Sequence, residues 1–276
     1  MACRLIINAD DFGWSPGVNE AVAQLADEGI VTSTSLMVAA PAAAEAVDLA
    51  RRRPELAVGL HLALVCAPPL LPAEEIPALA DGRGRLPDCW QRAAIRFWLS
   101  RASRADLRRE AEAQFKAFAG LGLPWSHADA HLHLSLHPVV FREMVRLCRQ
   151  YGVPAVRVPE DELIPGRGIL AGMGARWPEA LGLRLLCARQ RPLLARAGLR
   201  TTRRCYGYFH SGRLRGGYLC RLVEEMPDGD YELHCHPDLS TEAGRAEVAA
   251  LRSKAFRQAL ANRGVLLVRY RDLTVT

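Results

Sequence analysis

Along the first sixty residues the spacing of apolar positions switches repeatedly between two periods. "CRLIIN" (3–8) is a short apolar run that ends in polar "ADDFG", which predicts a buried strand feeding a loop. "SPGVNEAVAQLADEG" follows with helical spacing. Ser15 can cap that helix, Pro16 suits its first turn and Gly29 closes it. The β-branched "VTSTSLMVA" reads as a second strand, "PAAAEAVDLARRRP" as a helix bracketed by prolines, and "LAVGLHLAL" as a third strand. This β-α-β-α-β alternation predicts a parallel sheet.

The middle of the chain is looser. "APPLLPAEEIPALADGRGRLP" is a long Pro- and Gly-rich loop, and such loops in compact domains are often functional. "WQRAAIRFWLSRASR" is a basic amphipathic segment, and "ADLRREAEAQFKAFAGLGLP" a helix with a glycine stop. "SHADAHLHL" reads as a strand, "PVVFREMVRLCRQYG" as a helix and "PAVRVP" as another strand. Residues 160 to 204 read as an irregular, arginine-rich insertion with a break expected at Pro192. "GRGILA" (166–171) imitates a dinucleotide fingerprint but follows a proline loop, so it carries nothing. "YELHCHP" is a late strand, "EAGRAEVAALRSKAFRQALANRG" one helix and "VLLVRY" the last strand. About seven strands alternate with helices and no linker interrupts them. The expectation is one α/β domain over residues 1–276, a distorted (β/α) barrel of the TIM type, with an open doubly wound sheet as the alternative.

Composition narrows the functional classes. The net charge is +6, yet only Lys116 and Lys254 are lysines. A surface that tracks phosphates would ordinarily use both basic residues, so no nucleic-acid partner is expected. Eight scattered cysteines form no Cys-x-x-Cys pair, and the N-terminus runs directly into "CRLIINADD" without a signal-peptide pattern. No apolar run reaches the roughly 18 residues of a membrane span. The expectation is a cytoplasmic protein with reduced thiols. There is no Gly-x-Ser-x-Gly elbow and no Walker lysine motif.

"HADAHLHLSLH" (127–137) holds four of the eight histidines. Read as a strand, it places His127, Asp129, His131 and His133 on one face and Ala128, Ala130 and Leu132 on the other. Asp10 and Asp11 lie just past the first strand, His61 near the end of the third, and His234 and His236 at the end of "ELHCHP". These are C-terminal strand ends, where (β/α) barrels build their active sites. A lone histidine such as His137 or His210 is ordinarily a capping or surface residue; the convergence of the set is what argues for chemistry. Buried carboxylates and imidazoles need partners, and a divalent metal would satisfy several at once. Two His with one Asp suit zinc better than magnesium.

"INADDFGWSPGVNEAV", "GIVTSTSLMV", "VGLHLAL", "HADAHLHL" and "CHP", in that order, resemble the YdjC-like carbohydrate deacetylases over residues 6 to 237. Within that family, "SLMVAAPAAAEAV", the proline loop, "AVRVPE" and "GYFHSG" are most similar to the hopanoid-biosynthesis-associated branch, a relative of the chitooligosaccharide deacetylases. The resemblance implies a barrel that removes acetyl groups from N-acetylated amino sugars with one divalent metal, zinc or magnesium. It implies Asp11, His61 and His131 as metal ligands, Asp10 as base, and His236 at the border of the site. His127, Asp129, His133 and Arg157 then fall to orienting ligands or meeting substrate, with His236, and His133 behind it, as the acid. The chain departs from many relatives at Ser135 and Ala130. The implied partner is an N-acetylated sugar or a glycolipid met at the inner face of the membrane. The two segments at 90–104 and 183–200 offer a peripheral membrane contact, and a homodimer stays open. Alternatives are a metal-dependent hydrolase of another bond, such as a phosphoester, and a sugar-binding protein without turnover.

Overall fold

A computed structural model describes residues 2–162 and 174–273. Its centre is a curled parallel sheet. β1 (Cys3–Phe12) pairs with β2 (Ser33–Leu36) on one edge and β6 (Gly229–Cys235) on the other. β3 (Ala57–Leu62) and β4 (Ala128–Ala130) continue past β2, and β5 (Arg204–Tyr206) continues past β6. A segment with little regular pairing joins the two ends. Arg157 N donates to Ala128 O, Val156 N to Arg200 O, and Cys205 N to Glu160 O. Residues 155–160 therefore take the place of a strand between β4 and β5, and the sheet curls into the expected distorted (β/α) barrel. β7 (Leu266–Leu267) pairs with the first half of β1, on the edge that β2 takes further along.

The helices pack outside. α1 (Pro16–Asp27) starts where the chain predicts: Ser15 Oγ accepts from Val18 N at 3.2 Å and Pro16 fills the first helical position. α2 (Ala43–Arg51), α3 (Trp90–Leu99), α4 (Arg101–Gly120) and α5 (Pro138–Tyr151) follow the expected order. The apolar core lies between these helices and the outward faces of the strands, as with Leu60, Phe115 and Phe118, all fully buried.

Four expectations need correction. The strand at 127–133 stops at Ala130; His131–Leu136 is a 3-10 turn in which Leu132 and His133 take positive φ of 52°. The odd–even reading of that segment thus holds only through Asp129. The stretch 160–204 is not irregular throughout, because α6 (Trp177–Arg196) runs through Pro192. Pro192 faces solvent, so the carbonyl it leaves unbonded can meet water, while Ala180, Leu183, Cys187, Gln190 and Leu194 keep one buried stripe. The rest of that insertion, with "GRGILA", falls in 163–173 and lies outside the described residues. The late helix is two, α8 (Glu242–Arg252) and α9 (Lys254–Arg263), because Ser253 caps the second by accepting from Phe256 N. "VLLVRY" supplies only two paired residues. α7 (Gly216–Glu225) and β5 had no counterpart in the sequence reading.

The proline loop is strapped to α4. Glu110, fully buried, accepts from Leu70 N at 2.8 Å and Leu71 N at 3.0 Å, and Asp106 accepts from Ala78 N at 2.6 Å. Glu110→Ala leaves two backbone donors without their acceptor, at about 1–3 kcal/mol each if they stay buried. Limited proteolysis with mass mapping should show cleavage within 67–87 accelerated about tenfold or more; an unchanged cleavage map would refute the strap.

Candidate active site

Two consecutive aspartates on a regular strand point to opposite faces. Here the backbone resolves the conflict: Asp11 takes a positive φ of 62°, and the β1–β2 register is irregular between Ala9 and Phe12. Asp10 keeps the parity of Asn8 and points into the barrel, while Asp11 turns to the rim. His61 reaches the same rim from β3, aligned with Asp129 on β4. His131 reaches it from the first position of the 3-10 turn.

Three donor atoms converge there. Asp11 Oδ1 lies 2.9 Å from His131 Nδ1 and 3.3 Å from His61 Nε2, and the two ring nitrogens are 3.3 Å apart. Metal–ligand bonds of about 2.0–2.1 Å in tetrahedral geometry put donors roughly 3.3 Å apart, so the set fits a small divalent ion. His61 Nδ1 meets Asp129 Oδ1 at 2.8 Å, which directs the Nε2 side of the ring towards Asp11 and His131. A second cluster, Asp10, His61 and Asp129, has the composition of a cation site, but a guanidinium already fills it.

That guanidinium is Arg157, 1 % exposed. It binds both oxygens of Asp10 at 2.7 Å, Asp129 Oδ2 at 2.5 Å and Glu232 Oε1 at 2.7–2.8 Å. Around it, Asn8 Nδ2 donates to Asp10 Oδ1 and Ser35 Oγ, both at 2.8 Å. Ser35 Oγ donates to Asp129 Oδ2 at 3.0 Å; with its one proton spent there, it accepts from His127 Nε2 at 3.0 Å. Tyr270 donates its hydroxyl proton to Glu232. Asp129, not His127, meets the His61 ring. The His127 ring is clamped instead between Tyr270, stacked at 4.1 Å, and the Cα of Gly59, where a Cβ would come within 2.4 Å of the imidazole.

His236, just past β6, is partly exposed, with Nε2 4.0 Å from Asp10 Oδ2. His133 packs on Tyr208 and on His234, at centroid distances of 5.2 and 4.7 Å. Trp14 stacks on His131 at 6.4 Å and lines a cleft of about 200 Å³ with Asp10, Asp11 and His236. The sequence reading missed Asn8, Ser35, Glu232, Tyr270 and Trp14 as parts of the site. The period of two could have found three of them: Glu232 and His234 alternate on β6, and Asn8 and Asp10 on β1, with Ser35 on β2 between Asn8 and Asp129.

The family model for YdjC-like proteins matches residues 4–262. The chain belongs to the YdjC-like family. It is 30% identical to a carbohydrate deacetylase of Geobacillus stearothermophilus over 97% of this chain and 96% of that one. A carbohydrate deacetylase of Brevibacillus brevis is 40% identical over 56% of this chain, a match that spans only 59% of the relative. A solved structure from Enterococcus faecalis V583, described provisionally as a cellobiose-phosphate cleavage protein, superposes over 99% of this chain with a TM-score of 0.76 at 24% identity, which supports the fold.

The electrostatics of this YdjC-like site divide its groups. Burial opposes ionisation of Asp10, but Arg157 outweighs it and holds the carboxyl well below its usual range. Burial likewise opposes the His61 imidazolium, and Asp129, Asp11 and Asp10 together lift it well above the usual value. Burial lowers His127 to about 4 and His133 to about 3, so both rings are neutral near pH 7. His127 carries a stability consequence. Between the ordinary value of 6.5 and about 4, the unfolded ring binds a proton that the folded one refuses, so stability falls as pH falls. The loss for this fully buried ring reaches about 3 kcal/mol by pH 4. Urea midpoints should drop from neutral pH to pH about 4, and His127→Gln should flatten that drop; equal pH slopes in both proteins would contradict a buried neutral ring.

Proposed function

We propose that this chain is a carbohydrate deacetylase that hydrolyses the acetamide of an N-acetylated amino sugar with the help of one divalent metal ion. The observation that carries the reading is the approach of Asp11 Oδ1, His61 Nε2 and His131 Nδ1 to within 3.3 Å of one another beside Asp10. The relatives named carbohydrate deacetylase support removal of an acetyl group from a carbohydrate. Two imidazole nitrogens and one carboxylate favour zinc over magnesium. The cleft bounded by Trp14 offers an aromatic face to a sugar ring. An N-acetylglucosamine conjugate is the proposed substrate, with a hopanoid glycolipid as its specific form.

Asp11, His61 and His131 would hold the ion. Bound there, it supplies Lewis acidity towards the acetyl carbonyl and the attacking water. Asp10 is the proposed base. Arg157 and Asn8 use part of its acceptor capacity and aim the rest at the cleft. It takes a proton from the water as oxygen adds to the carbonyl carbon. When the C–N bond breaks, the amine nitrogen takes a proton from His236, whose Nε2 lies within 4.0 Å of Asp10 and can be recharged from it. His133 is kept neutral by burial and leaves this acid role to His236. Acetate and a free amine are the products. Asp129 keeps the His61 ring in its tautomer and Arg157 keeps Asp10 ionised.

Asp10→Asn should retain stoichiometric metal and lose about two or more orders of magnitude in acetate release. His131→Ala should instead lose the ion, read by elemental analysis. Near-full turnover in the first variant, or full metal content in the second, would overturn the assigned roles. Free-amine assays with chitobiose and with an N-acetylglucosaminyl lipid, run beside phosphate release from sugar phosphates, test the substrate class.

A further inference from the structure

A ten-residue helix on the rim of the barrel turns the wrong way for a soluble surface. α3 buries only Ala93 and Phe97, one turn apart on a single face. On the opposite side Ile95, Trp98 and Leu99 are 58, 54 and 79 % exposed, and Trp90 at its start is 49 % exposed. Single exposed apolar residues are normal, but Ile95, Trp98 and Leu99, spaced three and four apart, form one outward apolar group, and such a group marks a contact site.

Charge identifies what it contacts. Between Asp88 and Asp106 there is no acidic residue and there are four arginines, Arg92, Arg96, Arg101 and Arg104. Arg96 and Arg104 cap backbone carbonyls of Ala78, Phe97 and Trp98, whereas Arg92 and Arg101 meet no carboxylate among the described residues. An outward apolar stripe flanked by arginine is the signature of a helix lying in a bilayer interface. A second copy of the chain is a poor occupant, because a two-fold interface would set these arginines against each other. Among the described residues no helix is long and apolar enough to cross a membrane, so the contact would be peripheral.

We propose that the outward face of α3 docks on an anionic lipid surface and lays the mouth of the active site against it. Ala93 and Arg96 line a cavity of about 600 Å³ whose other wall includes Trp14, the residue that stacks on His131 and borders the cleft of Asp10 and Asp11. Trp98 meets His137 at 5.2 Å, at the end of the turn that starts with His131. The anchor and the site therefore share one rim. An amphiphile could enter the cavity from the lipid surface without crossing bulk water.

The test is co-flotation of the full, metal-loaded chain with vesicles of phosphatidylcholine alone or mixed with phosphatidylglycerol. The chain should float with the anionic vesicles only, and less so as salt rises. The combined substitution of Ile95, Trp98 and Leu99 by Ser should lower partitioning at least tenfold while leaving acetate release from a water-soluble substrate unchanged. Arg92→Gln with Arg101→Gln, which spares the apolar face, should lower it about thirtyfold and stands in if the triple variant does not fold. Absence of flotation, equal flotation on both vesicle types, or undiminished binding in both variants would overturn the proposal. So would a solution dimer that the triple variant converts to monomer, since the face would then cover a second copy. Flotation and acetate release are read separately, so either reading can fail without the other.

Discussion

One buried guanidinium organises the site. Arg157, almost fully buried, touches three carboxylates at once. Charges this deep are tolerated only when paired in good geometry, because each loses its hydration on folding. Asp10 and Asp129 are both held by the same planar fork. The proposed base and the group that orients the His61 ring are therefore fixed relative to each other by a single side chain. A lysine ammonium, with its charge at one point, could not span them in the same way.

The interior of the ring follows from this pairing. TIM-type barrels usually fill their centre with branched aliphatic side chains. Here Asn8, Asp10, Ser35, His127, Asp129, Arg157 and Glu232 occupy it, and all are buried. The apolar core is displaced outward, between strands and helices. Small residues permit this: Gly59 admits the His127 ring, and Gly207 the backbone of His234. Most of the polar atoms in this centre are paired, and that makes it rigid, because each lost hydrogen bond exposes a partner to the full cost of burial. Rigidity below the rim gives the ligand set a fixed base, and the rim can vary without disturbing it.

The rim varies by insertion. The proline loop is pinned to α4 by Glu110 and Asp106, α3 projects beside it, and Trp14 stands between this annex and the cleft. What the cleft can admit is thus decided by elements that add nothing to the ring itself.

Much of this was legible along the chain. The first five elements, the cap at Ser15 and the amphipathic α3 follow from periodicity and local hydrogen-bonding capacity, which act over a few residues. The candidate set of Asp10, Asp11, His61, His131 and His236 was legible because reactive residue types recur at strand ends, and five motifs in family order carried it further. Strand parity found Asp129, but it could not foresee the turn at Leu132 and His133, because positive φ there depends on what the turn packs against. Nor could it pair Arg157 with Asp10, 147 residues away. Residue types and short-range patterns are properties of the chain. Which charges meet, which backbone bends to let them, and whether a proline such as Pro192 faces water or core are decided only when distant segments exclude solvent together.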